Sequence, residues 1–324
     1  MSTTILTDEA AQLAATVTDV VATWHPPAAG RLISDTEHFQ DQWKVAEELG
    51  WTTILDDADC TSFETLAQSA ELIDAAAAVT RTLAHAGAAL PVRQTLVARA
   101  LASQPIATGP IVVSPHSFGV WDPIATVFVD GDGTAHERTA QETADRDIAA
   151  RPLHRTDPPK DLGDGPDSVL AQFLLVQEIA GAAHGAIEQA RAYVSSRVQF
   201  GRPLIKLPAV AQELGRLTIA QLQLDEAIAE FARRLHTASA DRILFAATVA
   251  RALACDVASD VAAQTHQLHG ALGLTADATL RHRTLLLWAD RDEGLHHRGW
   301  GVDTLPNCEV DLWSLSQPEG TLPA

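Results

Sequence analysis

At 324 residues and 46% hydrophobic content, the chain is long enough to bury a sizeable core over two or three lobes, and a disordered polymer is excluded. Lys and Arg total 23 against 42 Asp and Glu, a formal charge of −19. So acidic a surface repels phosphate backbones and anionic lipid, which argues against nucleic-acid and membrane binding and requires a local basic patch at any site for a polyanionic ligand.

Cys60, Cys255 and Cys308 fall at neither disulfide-framework nor metal-ligand spacing. The segment Met1 to Asp8 lacks the basic and apolar regions of a signal peptide, and charged residues or Gln interrupt the alanine-rich stretches before 18 residues accumulate. The expectation is a cytoplasmic protein without a membrane span.

In chain order, residues 1–104 read as a helical domain. Trp43 to Trp51 is amphipathic and closes on Gly50. Thr61-Ser62-Phe63-Glu64 resembles a helix start, followed by Phe63, Leu66, Ala67, Ala70 and Ile73 at three- and four-residue spacing. Residues 105–160 change to a reduced β domain. Pro110-Ile-Val-Val and Ile124 to Asp130 have the β-branched runs of short strands, and Asp130-Gly-Asp-Gly is a turn signal that lacks the further ligands of a calcium loop. A linker rich in Pro and Asp follows. Residues 161–301 return to long alanine-rich helices, from Leu170, from Pro208 to Ala238 and from Arg242 to Leu268, suited to a tight four-helix bundle. Residues 302–324 read as a tail. The fold class is α+β, mainly α.

Tyr193-Val-Ser-Ser-Arg197-Val-Gln199-Phe200-Gly201-Arg-Pro203-Leu204 lies where the first long bundle helix ends, with Gly201 as the stop. Locally, Arg197 is either a dipole-complementing cap or a forked donor to a pyrophosphate. His296-His297 lacks a third ligand. Gly-x-Gly-x-x-Gly and Gly-x-Ser-x-Gly patterns are missing, so neither a Rossmann site nor a hydrolase elbow is indicated.

This stretch resembles the Arg-x-x-Phe-Gly-x-Pro-Ile signature of acyl-CoA dehydrogenases. His266-Gln267-Leu268-His269-Gly270-Ala271-Leu272-Gly273-Leu274-Thr275 is similar to the Gln-x-x-Gly-Gly-x-Gly-[Phe/Tyr]-Thr that follows their last bundle helix, and Trp43 to Trp51 resembles their N-terminal Leu-Ala-Glu-Leu-Gly-Trp pattern. The resemblance implies FAD as cofactor, with Arg197, Gln199, Phe200, Leu204, Gln267, Gly270 and Ala271 as its contacts, the later motif serving the adenosine half across a subunit boundary. Gly270 also suits a plain helix cap. The implied activity is α,β-desaturation of an acyl-CoA thioester, with an electron-transfer flavoprotein or equivalent as acceptor. Glu293, followed by Gly294, stands near where many members carry the catalytic base; Asp290 and Asp292 are substitutes, and a solvated helix end is the structural alternative. A second family position for the base aligns near Ala171, which offers no acid.

The departures are as informative. Leu207 and Pro208 stand where the family has Phe-Gln, and no Thr-Glu-Pro-Gly-x-Gly-Ser-Asp loop occurs between Leu101 and Pro166. The chain thus resembles the short partner of a heteromeric enzyme of this family, a dimer or tetramer sharing flavin and substrate with a full-length subunit. A non-catalytic structural partner and an acidic helical scaffold without flavin are the alternatives.

Overall fold

A computed structural model describes residues 8–24, 36–140, 145–154, 163–237, 239–274 and 279–296. Helix α1 (Asp8–Val21) and helix α2 (Thr36–Glu48) are followed by α3 (Phe63–Gln68), α4 (Ala70–Ala86) and α5 (Val92–Leu101). The start read at residues 61–64 is a capping box: the Ser62 hydroxyl accepts from Thr65 N, and the Thr65 side chain accepts from Ser62 N. Helix α4 stops at Gly87, whose φ of 80° is the left-handed geometry a C-terminal glycine supplies.

The β region is as small as expected. Strands β1 (Val112–Val113), β2 (Val127–Val129) and β3 (Ala135–Glu137) form one sheet, with β1 parallel to β2 and β2 antiparallel to β3. Strands β4 (Asp145–Arg146) and β5 (Pro152–Leu153) form a separate hairpin that the sequence reading missed, being too short for periodicity. Asp130 Oδ1 accepts from the amides of Asp132 and Thr134, and Oδ2 bonds His136 Nε2 at 2.8 Å; the carboxylate serves the turn itself.

The four bundle helices are α6 (Pro166–Ser196), α7 (Pro208–Thr237), α8 (Ala240–His269) and α9 (Leu280–His296). Among the described helices α6 alone has the length and apolarity to cross a membrane, yet 94% of its apolar window is buried inside the fold, which makes it the core helix. Phe173 on α6 meets Phe231 on α7 edge-to-face, centroids 5.1 Å apart. Small residues set the approach of α4 to α6. A Cβ on Gly181 would lie 2.1 Å from Arg81 O, and one on Gly185 2.2 Å from His85 O, so backbone packs directly on backbone.

Between α6 and α7 lies one correction to the sequence reading. Helix α6 ends at Ser196 with Arg197 as its cap, and the chain then forms a hairpin, β6 (Val198–Gln199) against β7 (Arg202–Pro203). Phe200 (φ 53°) and Gly201 (φ 74°) are its two left-handed turn residues, so Gly201 closes a hairpin rather than the helix. Asn or Gly usually fills such positions, and Phe at the first disguised the turn in the sequence. Residues 302–324, Cys308 and His297 lie outside the described residues; Cys60 and Cys255 are buried thiols, pushed up to about 12 and about 11 by burial.

Candidate active site and nucleotide cleft

The end of α6, the β6–β7 hairpin, the start of α7 and the end of α8 enclose a cleft of about 560 Å³. Six residues singled out in the sequence line it: Arg197, Gln199, Leu204, Gln267, Gly270 and Ala271. The hairpin is drawn back by Leu204 N donating to Arg197 O at 2.9 Å, which brings the first motif beside the second. Gly270 is both things the sequence allowed, the C-cap of α8 and a wall of the cleft. Phe200 stands apart, 84% exposed at the hairpin tip and outside the lining.

Two residues that sequence reasoning passed over complete the floor. Tyr193 stacks on His269 with centroids 4.5 Å apart and an interplanar angle of 18°, and His269 Nδ1 bonds Thr265 O at 2.8 Å. Burial pushes the imidazoles of His269 and His266 below their ordinary pKa, His269 adding to the effect on His266, so both are neutral near pH 7. Glu213 at the rim is held by Arg216 at 2.8 Å, which also reaches Asp260 at 2.8 Å. Arg197, exposed and within the lining, is the cleft's own cation. Forked donors, side-chain amides and small residues form a donor set that fits a phosphodiester with sugar hydroxyls, against a global charge that disfavours anions.

Glu293 lies elsewhere, on α9, and only 4% of it is exposed, so the solvated-end reading does not hold. Its two oxygens accept from Arg93 Nη1 at 2.9 Å and Nη2 at 2.7 Å, a bidentate pair across to α5. Arg93 Nε also bonds Glu178 of α6. From the loop before β5, Arg151 reaches Asp290 at 2.6 Å, Asp147 at 2.6 Å and Glu293 at 3.9 Å. Two guanidiniums and four carboxylates are thereby packed at the junction of bundle, α5 and hairpin. Burial, with the repulsion of Glu178 and Glu293, pushes Asp290 up to about 8, against the pull of Arg151 and Arg93. Asp292, the other substitute, pairs with Arg291 at 2.6 Å, half-exposed.

The cluster occupies the candidate base: both Glu293 oxygens are engaged, and neither this cleft nor the one beside α1 and α4 includes Glu293 in its lining. Gly294 has a packing reason of its own, since a Cβ there would sit 2.9 Å from Cys255 Sγ. Arg93, Arg151 and Glu178 were missed in the sequence. The available signal was an ionisable residue in the middle of an apolar helix, as at Gln177-Glu178, which demands a buried partner.

A long-helix bundle with a reduced sheet and a cleft at one end defines an acyl-CoA dehydrogenase-like fold, and comparison with known proteins agrees. Residues 172–289 match the family model "Acyl-CoA dehydrogenase, C-terminal domain". That stretch of the bundle is thus similar to the C-terminal domain of acyl-CoA dehydrogenases, and the whole chain takes the fold of their solved structures. Over 106 residues, 33% of the chain, it is 32% identical to "Acyl-CoA dehydrogenase FadE34" of Mycobacterium tuberculosis, and the match spans only 15% of that relative. Among solved structures it resembles the ChsE4-ChsE5 complex of M. tuberculosis (TM-score 0.65, 18% identity, 94% of this chain and 98% of that one). It also resembles butyryl-CoA dehydrogenase of Megasphaera elsdenii (TM-score 0.62, 14% identity, 91% and 98%).

Proposed function

We propose that this chain is the short subunit of a heteromeric acyl-CoA dehydrogenase, which lends its cleft to the adenosine-diphosphate half of an FAD whose ring and substrate lie on a full-length partner. The observation that carries this reading is the separation of two features. The cleft gathers both flavin-side motifs in a form suited to a phosphodiester, while the position of the expected base is closed by Arg93 and Arg151. The residues present fit the nucleotide half of the cofactor. The ring is assigned to the partner, because the expected base Glu293 is engaged in the charge cluster and does not line the cleft.

When bound, FAD would supply the hydride acceptor for desaturation. In this chain Arg197 would meet a phosphate oxygen, and Gln199 and Gln267 would bond phosphate or ribose oxygens. Gly270 and Ala271 would let backbone approach closely, and the Tyr193–His269 stack would exclude water from below. Removal of the α-proton falls to a carboxylate of the partner. A heteromeric arrangement is further favoured by the likeness to a complex of two named chains.

The test is the visible spectrum of the purified chain alone and after co-expression with a full-length acyl-CoA dehydrogenase-like subunit. Flavin absorption that copurifies only with the pair and bleaches on adding an acyl-CoA is the expected result. In the pair, Arg197→Ala with Gln267→Ala is expected to weaken flavin retention ten-fold or more, leaving the thermal midpoint of the isolated chain unchanged, since both side chains are exposed. Flavin retained equally by wild type and variant would overturn the assignment of the cleft.

A further inference from the structure

On another face of the bundle, α4 and α6 bring together three ligand-type side chains used by neither the cleft nor the cluster. His184 and Glu188 sit four residues apart on α6, on one face of the helix, and His85 lies in the last turn of α4. Both imidazoles direct Nε2 at the same carboxylate, one to each oxygen: His85 to Glu188 Oε2 at 2.9 Å and His184 to Glu188 Oε1 at 3.3 Å. The two rings meet edge-on with centroids 5.2 Å apart. All three ligand atoms lie within 4.8 Å of one another.

We propose that His85, His184 and Glu188 form a binding site for a divalent first-row transition metal ion, zinc being the best match. Ligands at about 2.0–2.1 Å from a tetrahedral centre are separated by roughly 3.3 Å, close to the 2.9 and 3.3 Å of the two His–Glu188 spacings, and with the third pair within 4.8 Å side-chain rotations complete the site. Two imidazoles and one carboxylate favour zinc, nickel or copper over magnesium and calcium, which prefer all-oxygen shells.

Two further observations support a built site. The backbone under it is fixed, because α4 lies against Gly185 and His85 O accepts from Arg283 Nε at 2.7 Å. The side chains of His85, His184 and Glu188 are 39%, 46% and 51% exposed, and His85 also borders a cleft of about 390 Å³, which leaves a fourth position open to water. The guanidinium of Arg283 opposes a cation, but its Nη1 is turned to Gln189 Oε1 at 2.9 Å. On binding, each imidazole transfers its proton to Nδ1 and presents a bare Nε2 to the ion.

The test is a zinc titration of the metal-stripped full chain against a competing chromophoric chelator, repeated with His184→Ala, Glu188→Gln and His85→Gln. The wild type is expected to take up one tight equivalent, millimolar magnesium leaving it in place. Each variant is expected to lose ten-fold or more in affinity while keeping its circular dichroism spectrum. Zinc is likewise expected to raise the thermal midpoint of the wild type and not of His184→Ala, since an ion bound to the folded state stabilises it by mass action. No stoichiometric uptake would overturn the proposal, leaving a hydrogen-bonded surface triad. Displacement by magnesium, or undiminished affinity in His184→Ala, would also overturn it, assigning the ion to acidic surface groups or to other histidines.

Discussion

Replacing Arg93 by Met tests whether the charge cluster, rather than catalysis, explains Glu293. The guanidinium makes two bonds to Glu293 and one to Glu178, and Arg93 and Glu293 side chains are each 2% exposed. Breaking a buried pair by removing one partner costs about 3–5 kcal/mol. An orphaned buried carboxylate escapes by taking up a proton, which for an ordinary glutamate costs about 4 kcal/mol at pH 7 and about 1 kcal/mol at pH 5. Arg151, 3.9 Å from Glu293, compensates in part. The expected loss is therefore about 4 kcal/mol at pH 7, shrinking by about 2–3 kcal/mol at pH 5. The sign follows from proton linkage: a carboxyl that must be neutral in the folded state favours folding at low pH and opposes it as pH rises. Urea unfolding followed by circular dichroism at both pH values measures it. The triple variant Arg93→Met, Glu178→Met, Glu293→Leu is expected to recover much of the loss, since apolar replacement of a whole buried ion triad is often neutral, whereas Arg93→Met with Glu293→Leu still leaves Glu178 unpaired. A loss under about 1 kcal/mol at pH 7, or one that does not shrink at pH 5, would refute the reasoning.

Asp290, raised from an ordinary 3.8 to about 8, gives the wild type a stability contribution complete below pH 3.8 and lost as pH rises through 8; Asp290→Asn is expected to flatten that slope in unfolding measured from pH 5 to 9. Glu293→Gln in the co-expressed pair is expected to change turnover by less than ten-fold. A loss of about 100-fold or more with unchanged stability would instead identify Glu293 as the base. Gly181→Ala forces a methyl to 2.1 Å from Arg81 O and is expected to lower stability by about 3 kcal/mol, read by thermal unfolding.

The helices were legible because they are long and periodic, and the lining of the cleft because its two motifs are local strings whose ends the bundle brings together. The β4–β5 hairpin was hidden by its length: two residues per strand carry no period. The cluster was hidden for a different reason. Arg93 pairs with Glu293 across 200 residues and Arg151 with Asp290 across 139, and sequence gives a buried charge no hint of which distant charge answers it. His85 and Glu188, 103 residues apart, were missed in the same way, although the four-residue spacing of His184 and Glu188 was visible.

The charge balance of the cluster bears on the proposed division of chemistry between this chain and a partner. Removing a proton α to a thioester builds negative charge on the carbonyl oxygen, and a site that accelerates this step aims donors or positive potential there. Around Glu293 two guanidiniums face four carboxylates, and even with Asp290 protonated the balance is one negative charge in excess. Such an interior would oppose an enolate-like charge rather than favour it. What it does favour is contact between the reduced β region and the bundle: Arg151, 1% exposed, ties the hairpin to α9 through Asp290, where so few strands leave little apolar surface to pack. A chain that has closed its interior in this way retains one surface suited to the cofactor, the cleft at the far end of α6. The proposed binding contribution from this chain, with chemistry on a partner, accords with the same arrangement.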